Sequence, residues 1–110
     1  MNDKYFFPAI FEYDSESTIN IFFPDLPGCF TFAESETEAF EMAREALSLH
    51  LYGMEEEGDN IPIPSKMSVI QRENSNQISV LIDIYMPVFR DKMQNKKIKK
   101  TLTIKSGLMI

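Results

Sequence analysis

Residues 22–31 (FFPDLPGCFT) constrain the fold most, because two apolar, strand-like runs meet there at a stiff turn. Pro24 and Pro27 fix their own φ and lack the amide hydrogen that a central sheet position uses, so each ends a strand or begins a turn. Gly28 then permits a backbone conformation that residues with a Cβ adopt only at a cost. On residue types alone, two interpretations stay open: an ordinary strand connection, or a rigid rim that presents Asp25 to a partner.

Apolar and β-branched runs lie on both sides of this turn. Residues 4–12 and 18–23 predict two strands that form a hairpin, closed by a polar loop at 13–17. Residues 28–33 predict a third strand. Pro8, in the first run, indicates an edge position or a bulge. Three consecutive antiparallel strands make a meander whose apolar face must be covered.

A helix over residues 35–58 is predicted to cover that face. Ser35 and Glu38 have the spacing of a capping box, in which the Glu38 side chain bonds back to the cap amide, and Gly58 is a helix stop. His50, the only histidine, falls in the apolar stripe and is interpreted as a packed side chain and not as a ligand. The stripe recurs at three- and four-residue steps and consists of Ala39, Phe40, Ala43, Ala46, Leu47, His50, Leu51 and Met54.

The longest β-rich run, residues 77–86 (QISVLIDIYM), follows an extended linker at 61–65 (IPIPS). Because apolar residues occupy much of both faces of this run, we place it in the middle of the sheet. The predicted fold class is therefore α+β: an antiparallel β-meander plus a further central strand, covered by one main helix and followed by a basic tail. We expect one folded domain at residues 1–88 and the tail at 89–110.

The net charge of −6 hides a strong asymmetry along the chain. Residues 1–89 contain four basic and 16 acidic side chains, whereas residues 90–110 contain seven basic and one acidic. An acidic body attracts a basic surface and repels nucleic acid, and a basic tail does the reverse. Solubility and a solvated tail explain the same asymmetry equally well.

Several classes of protein are disfavoured by what the sequence lacks. Cys29 is the only cysteine, so neither an intrachain disulfide nor a cysteine zinc site can form. No run is long and apolar enough for a membrane span and no secretory signal is recognised, so we expect a cytoplasmic protein without a membrane partner. No cofactor, metal or catalytic motif is found, so we expect no enzyme. The remaining enzyme hypothesis, a two-metal nuclease, would need Asp14, Asp25 and Asp83 to converge.

The basic tail has a pattern that one kind of DNA-binding protein uses. Residues 99–105 (KKTLTIK) alternate apolar with polar side chains, as does a two-stranded ribbon that enters the major groove. A frayed basic end is the alternative, because only five residues follow Lys105 and the helices that support such a ribbon are missing. The candidate DNA-binding residues are Lys99, Lys100, Thr101, Thr103 and Lys105.

Five segments of this chain resemble the HicB family of antitoxins from bacterial type II toxin–antitoxin pairs. They are residues 5–12 (YFFPAIFE), 23–31 (FPDLPGCFT), 35–39 (SETEA), 46–53 (ALSLHLYG) and 61–65 (IPIPS). The resemblance implies a partial RNase H-like fold without catalytic acids. It also implies an antitoxin that binds and neutralises a small basic HicA-type toxin, an mRNA-cleaving protein. Acidic side chains are our candidates for toxin binding: Asp14, Glu16, Asp25, Glu34, Glu38 and Glu41.

The same resemblance implies a C-terminal DNA-binding module through which the pair represses its own operon. Residues 99–105 resemble the first strand of a ribbon-helix-helix module, but the two helices that should follow are absent from this sequence. A DNA-binding repressor, or its remnant, is therefore the alternative function, with operator DNA as the partner. An edge strand and an incomplete ribbon both favour a homodimer or a higher homo-oligomer.

Overall fold

The computed structural model describes residues 2–14 and 16–95. Within these ranges the strands are β1 (Lys4–Tyr13), β2 (Ile19–Phe22), β3 (Phe30–Ala33) and β4 (Gln77–Tyr85), and the long helix is α1 (Glu36–Glu57). One turn of 3-10 helix at Met67–Val69 precedes β4, and a second helix, α2, follows β4 at residues 86–95. No helix in the described part of the chain is long and apolar enough to cross a membrane.

The strands form one antiparallel sheet in the order β3-β2-β1-β4, with α1 on one face. This confirms the α+β class, the meander and the covering helix. Among the described residues β4 pairs only with β1 and lies at an edge, so its predicted central position is wrong. Its second apolar face is not buried: Leu81 and Tyr85 are about half exposed. Apolar residues on both faces of a strand therefore do not by themselves indicate a central strand.

The central strand is β1, which holds Pro8. β2 pairs only with residues 10–13 of β1, so Pro8 lies in the half that pairs with β4 alone. Along the β1–β4 pair, Met86 N–H donates to Asp3 O (2.7 Å), and hydrogen-bonded positions alternate from there. Pro8 falls on a position that is not hydrogen-bonded to β4, so its nitrogen faces the β2 side of β1. β2 does not extend as far as Pro8, so no bond is lost there. The proline thus keeps the edge-like environment expected from sequence, inside a central strand.

The face of α1 that packs on the sheet is narrower than predicted and slightly rotated. Ala39, Ala43, Leu47 and Leu51 are fully buried, as expected. Phe40 is 42% exposed, with one ring edge on Phe11, at 5.5 Å between centroids. The half-buried members of the predicted stripe are Ala46, His50 and Met54, and the buried residues outside it are Ser48 and Tyr52.

The turn at residues 23–29 closes as two consecutive bends. Leu26 N–H donates to Phe23 O, and Cys29 N–H donates to Leu26 O, both at 3.0 Å. Gly28 has a φ of +87°, the left-handed conformation anticipated for it. Phe23, Leu26 and Cys29 are all buried, so the turn is anchored to the core by its own side chains.

Helix α2 was not predicted, although Met86, Phe89 and Met93 recur at helical spacing. Met86 is fully buried, and Phe89 and Met93 pack against the core. The Phe89 ring meets Tyr52 of α1 edge-on, at 6.0 Å between centroids. The helix runs across the division at residues 88 and 89. The division into two domains stays a prediction, because residues 96–110 lie outside the described ranges.

Candidate functional site

The β1–β2 hairpin carries two of the predicted toxin-binding residues, Asp14 and Glu16, and both are exposed. Asp14 also shapes the hairpin, because its Oδ1 accepts hydrogen bonds from the amides of Glu16 (2.8 Å) and Thr18 (3.0 Å). Aspartate commonly closes turns in this way. Asp14 is therefore both a surface charge and a turn residue, whereas Glu16 is a surface charge.

The junction between β3 and α1 carries Glu34 and Glu38. Ser35 caps α1, and its hydroxyl accepts a hydrogen bond from Glu38 N–H at 3.2 Å, as predicted. The Glu38 carboxylate reaches back to the amide of Glu34 (3.3 Å) and not to that of Ser35, so the capping box is displaced by one residue. Glu41 is exposed one turn further along α1.

These two segments lie at the same end of the sheet. The Tyr13 hydroxyl, at the end of β1, donates to Glu36 Oε1 on α1 at 3.2 Å. Burial, and secondarily Glu36, raises the pKa of Tyr13, so the phenol stays protonated as the donor. We call this region the acidic end, and it comprises Glu12, Asp14, Glu16, Glu34, Glu36 and Glu38. Five of the six predicted toxin-binding residues thus lie in it or, for Glu41, one helical turn beyond it.

Asp25, the sixth, lies in the turn at the opposite end of the sheet. Its Oδ2 accepts from the Ser65 amide (2.7 Å) and its Oδ1 accepts from the Ser65 hydroxyl (2.6 Å). Asp25 therefore ties the predicted linker at residues 61–65 to the turn. This gives Asp25 a structural role, and its contact with a toxin stays a prediction.

Two arginines bind carbonyls at the outer edge of β4. The β1–β4 pairing leaves the carbonyls of Gln77 and Asp83 pointing away from the sheet. Arg72 Nη1 donates to Gln77 O (3.3 Å), and Arg44 Nε reaches from α1 to Asp83 O (3.2 Å). Arg44 Nη2 also pairs with the Asp83 carboxylate at 3.1 Å, and this hydrogen bond lowers the pKa of Asp83.

The outer edge of β3 is open. Phe23 N–H donates to Cys29 O (3.1 Å), which sets the alternation of the β2–β3 pair. It follows that Thr31 and Ala33 bond to β2, whereas the amides and carbonyls of Phe30 and Phe32 point outward. None of the described residues bonds to these outward groups.

Apolar surface lies on both sides of this open edge. On the sheet face away from α1, Phe30 (72% exposed), Phe32 (59%) and Phe22 (37%) form what we call the aromatic strip. On the other side, a groove of about 320 Å³ separates β3 from α1. Its lining includes Thr31 of β3 and Met42, Glu45, Ala46, Leu49 and His50 of α1. His50 is half-buried there, beside the groove and not inside the core.

An ion pair between Glu55 and Arg90 was missed by sequence analysis. Arg90 Nε and Nη2 bind the two Glu55 carboxylate oxygens at 3.0 and 2.7 Å, and Nη1 binds Asp3 Oδ1 at 3.1 Å. Arg90 also donates to the Asn2 carbonyl. The Glu55 side chain is only 5% exposed, and its hydrogen bonds raise the pKa of Arg90. Arg90 thus joins α2, the end of α1 and the N-terminal segment.

The nuclease hypothesis required Asp14, Asp25 and Asp83 to converge. They bind three separate partners: the hairpin amides, Ser65 and Arg44. Among the residues that the structure describes, no group of three or more His, Cys, Asp or Glu side chains could hold a metal ion. The predicted DNA-binding residues Lys99, Lys100, Thr101, Thr103 and Lys105 lie outside the described ranges.

Comparison with known sequences connects this chain to antitoxins. A sequence model of the family described as "HicB_like antitoxin of bacterial toxin-antitoxin system" matches residues 7–106. An uncharacterized 14.9 kDa protein in the rep-hol intergenic region of Haemophilus phage HP1 (strain HP1c1) is 35% identical over 63 residues. That alignment covers 56% of this chain and 47% of the phage protein, so the match spans about half the length of this relative.

Three solved structures share the fold. The N-terminal domain of the Burkholderia pseudomallei antitoxin HicB is 24% identical, with a TM-score of 0.62, covering 73% of this chain and 98% of that chain. A chain of a toxin–antitoxin complex from Streptococcus pneumoniae is 18% identical, with a TM-score of 0.66, covering 97% and 99%. A chain of the HicA3 and HicB3 toxin–antitoxin complex is 19% identical, with a TM-score of 0.60, covering 71% and 95%. At these identities the likeness concerns the fold.

Proposed function

Because the chain belongs to the HicB-like antitoxin family of bacterial toxin–antitoxin systems, we propose that it binds and neutralises a small basic HicA-type mRNA-cleaving toxin. The observation that carries this proposal is the grouping of exposed carboxylates at the acidic end. A surface that binds RNA phosphates is basic, so an acidic surface can occupy it and exclude RNA. The protein acts in this proposal by occupying the toxin, without catalysis of its own.

The acidic residues differ in how well they can be tested. Asp14, Asp25 and Glu38 each accept hydrogen bonds that shape a turn or a cap, so their substitution would also perturb the fold. Glu16, Glu34 and Glu41 are exposed and are the better probes of toxin contact. We propose that all six contribute, the first three partly through the shape that they maintain.

Cleavage of an mRNA by the purified HicA-type toxin encoded beside this chain tests the proposal. Cleavage should stop when the wild-type protein reaches stoichiometric amounts, and unchanged cleavage at excess would eliminate the proposal.

The triple variant Glu16→Gln, Glu34→Gln, Glu41→Gln should bind the toxin with an association rate about 10-fold lower at low salt. The matched control is Glu57→Gln, Asp59→Asn, Asp91→Asn, which removes the same charge from exposed sites away from the acidic end. Equal effects of both triples would mean that only net charge matters.

Operon repression is the second proposed activity, and its motivation is the basic sequence at residues 90–110. The family match extends to residue 106 and so includes Lys99–Lys105. Mobility-shift titration with the upstream DNA, in the wild type and in Lys99→Gln, Lys100→Gln, Lys105→Gln, tests it. Specific, salt-dependent binding that the substitutions abolish is expected. No binding at low salt would eliminate this activity.

A further inference from the structure

We propose that the open edge of β3 is the place where the basic partner adds an extended strand to the sheet, with the aromatic strip on one side of that strand and the β3–α1 groove on the other. This inference rests on the proposed function and names the surface that carries it. Strand addition of this kind uses main-chain hydrogen bonds for affinity and pockets for alternate side chains for specificity.

The main chain of β3 offers what an added strand needs. The outward amides and carbonyls of Phe30 and Phe32 have no described partner, and no lysine or proline stands in β3 to block pairing. Proteins commonly protect exposed edges with such residues. At the other edge of this sheet, Arg72 and Arg44 occupy the corresponding carbonyls. Arg72 and Arg44 thus occupy two of the outward carbonyls of β4, whereas none of the outward groups of β3 has a described partner.

The side chains around β3 favour a strand whose two faces are both apolar. Alternate residues of an added strand would cover Phe30 and Phe32, which leave most of their ring surface exposed. The intervening residues would enter the groove beside Met42 and Leu49. A single exposed phenylalanine needs no explanation, but neighbouring exposed rings beside a groove are typical of an interaction surface.

The charges next to this edge select a basic occupant. Glu34 follows β3 directly, two residues beyond Phe32, and Glu45 lines the groove. Within the described residues, no lysine or arginine lines the groove or stands in β3. An apolar centre with an acidic rim fits a partner that has an apolar strand flanked by Lys or Arg. A second copy of this acidic domain would bring the same carboxylates together.

The test is the affinity of the adjacent-gene HicA-type toxin for full-length variants, measured by biolayer interferometry. Phe30→Ser and Phe32→Ser should each weaken binding about 30-fold or more, as expected for central aromatic contacts. Phe32→Lys should do at least as much, because it places a charge at the edge that repels the basic partner. Leu81→Ser is the matched control: Leu81 is 49% exposed on the same sheet face, but in β4, and its loss should leave binding unchanged. Circular dichroism should show that all the variants are folded.

The outcomes separate this inference from the function on which it rests. If the wild type binds and Phe30→Ser and Phe32→Ser bind equally well, the β3 edge is not the docking site, while the antitoxin function stands. If the wild type does not bind the toxin, the proposed function fails and this inference fails with it.

If light scattering without toxin shows a wild-type dimer that Phe32→Lys converts to a monomer, a second copy occupies the edge and the proposal is overturned. If removal of residues 96–110 increases toxin affinity 30-fold or more, the chain's own basic tail occupies the edge, which also overturns it.

Discussion

The two edge strands of the sheet differ in what their outward main-chain groups meet. At β4, guanidinium groups of Arg44 and Arg72 donate to the outward carbonyls, and α2 packs directly after the strand. At β3, the outward groups of Phe30 and Phe32 meet no described residue, and both rings are largely exposed. The β4 edge is therefore bound in part, at Gln77 and Asp83, whereas the outward groups of β3 have no described partner.

The difference follows from where the arginines are used. The chain has three, and all of them act on the β4 side: Arg44 and Arg72 at the strand and Arg90 in α2. The carboxylates of the acidic end consequently have no arginine partner among the described residues. Structural use of basic residues at one edge leaves a negative field beside the other, where a basic partner would approach.

The largest expected effect tests the β4 side of the sheet. Arg90→Met should lower the free energy of unfolding by about 3–5 kcal/mol, because it leaves the Glu55 carboxylate buried without a counterion. Lys92→Met, an exposed change in the same helix, should stay within about 0.5 kcal/mol. Urea unfolding followed by circular dichroism measures both. Equal losses would show that Arg90 does not hold the β4 side together.

The next effect concerns the turn that leads into β3. Asp25→Ala and Ser65→Ala should each cost about 1–3 kcal/mol, because each leaves hydrogen-bonding groups of the other residue without a partner. The double variant should cost less than the sum of the two, since both changes remove the same contact. Additive losses would contradict this, and would leave Asp25 free for the toxin contact predicted from sequence.

A pH effect at the start of β3 is smaller. Burial raises the pKa of the Cys29 thiol from about 9 to about 11, and the Sγ–H donates to Ala46 O at 3.7 Å. As the pH rises, the Cys29 thiol ionises in the unfolded chain before it ionises in the folded protein. The contribution of the buried thiol to the free energy of unfolding is therefore complete below pH 9 and is lost as the pH rises from about 9 to about 11. At pH 10 the loss should be about 1 kcal/mol relative to Cys29→Ala, by urea unfolding. A difference between the two proteins that does not change with pH would mean that the thiol is not excluded from water.

The smallest effect tests the protection of the β4 edge. Arg44→Ala should change stability by at most about 1 kcal/mol, because both partners are half exposed and the pair is screened. The variant should raise the pKa of Asp83 towards its ordinary value, measurable by NMR titration of its carboxyl carbon. It should also expose the Asp83 carbonyl, so concentration-dependent association should increase more than in Lys66→Ala. No such increase would mean that Arg44 does not protect this edge.

Local patterns in the sequence predicted much of the fold. The turn at Gly28, the Ser35 cap and the Gly58 stop each depend on residues a few positions apart, and all three are present. Gly58 has a φ of +73°, and Asp59 N–H donates to Met54 O, as in a Schellman end. The resemblance to HicB antitoxins is confirmed by the family match over residues 7–106.

The candidate site was predicted less completely. The acidic composition indicated a basic partner, but composition alone does not distinguish exposed carboxylates from those that are buried or hydrogen-bonded within the fold. Glu55 proved to be buried against Arg90, and Asp25 bonded to Ser65, whereas Glu16, Glu34 and Glu41 are exposed. The exposed rings of Phe30 and Phe32 were not singled out, because period-2 alternation shows which residues share a face but not which face is covered.

By itself, the sequence determined the strands, the capped helix, the stiff turn and the family, because each is encoded in residues close together along the chain. Only the tertiary structure decided that β1 is central, that β4 is an edge, and that β3 is the edge left open. Those facts depend on contacts between distant residues, such as Pro8 with Leu81 and Glu55 with Arg90. The turn at residues 22–31 had two interpretations in the sequence. Its position beside the open edge of β3 allows both, since it is an ordinary strand connection that also supports the surface proposed for the partner.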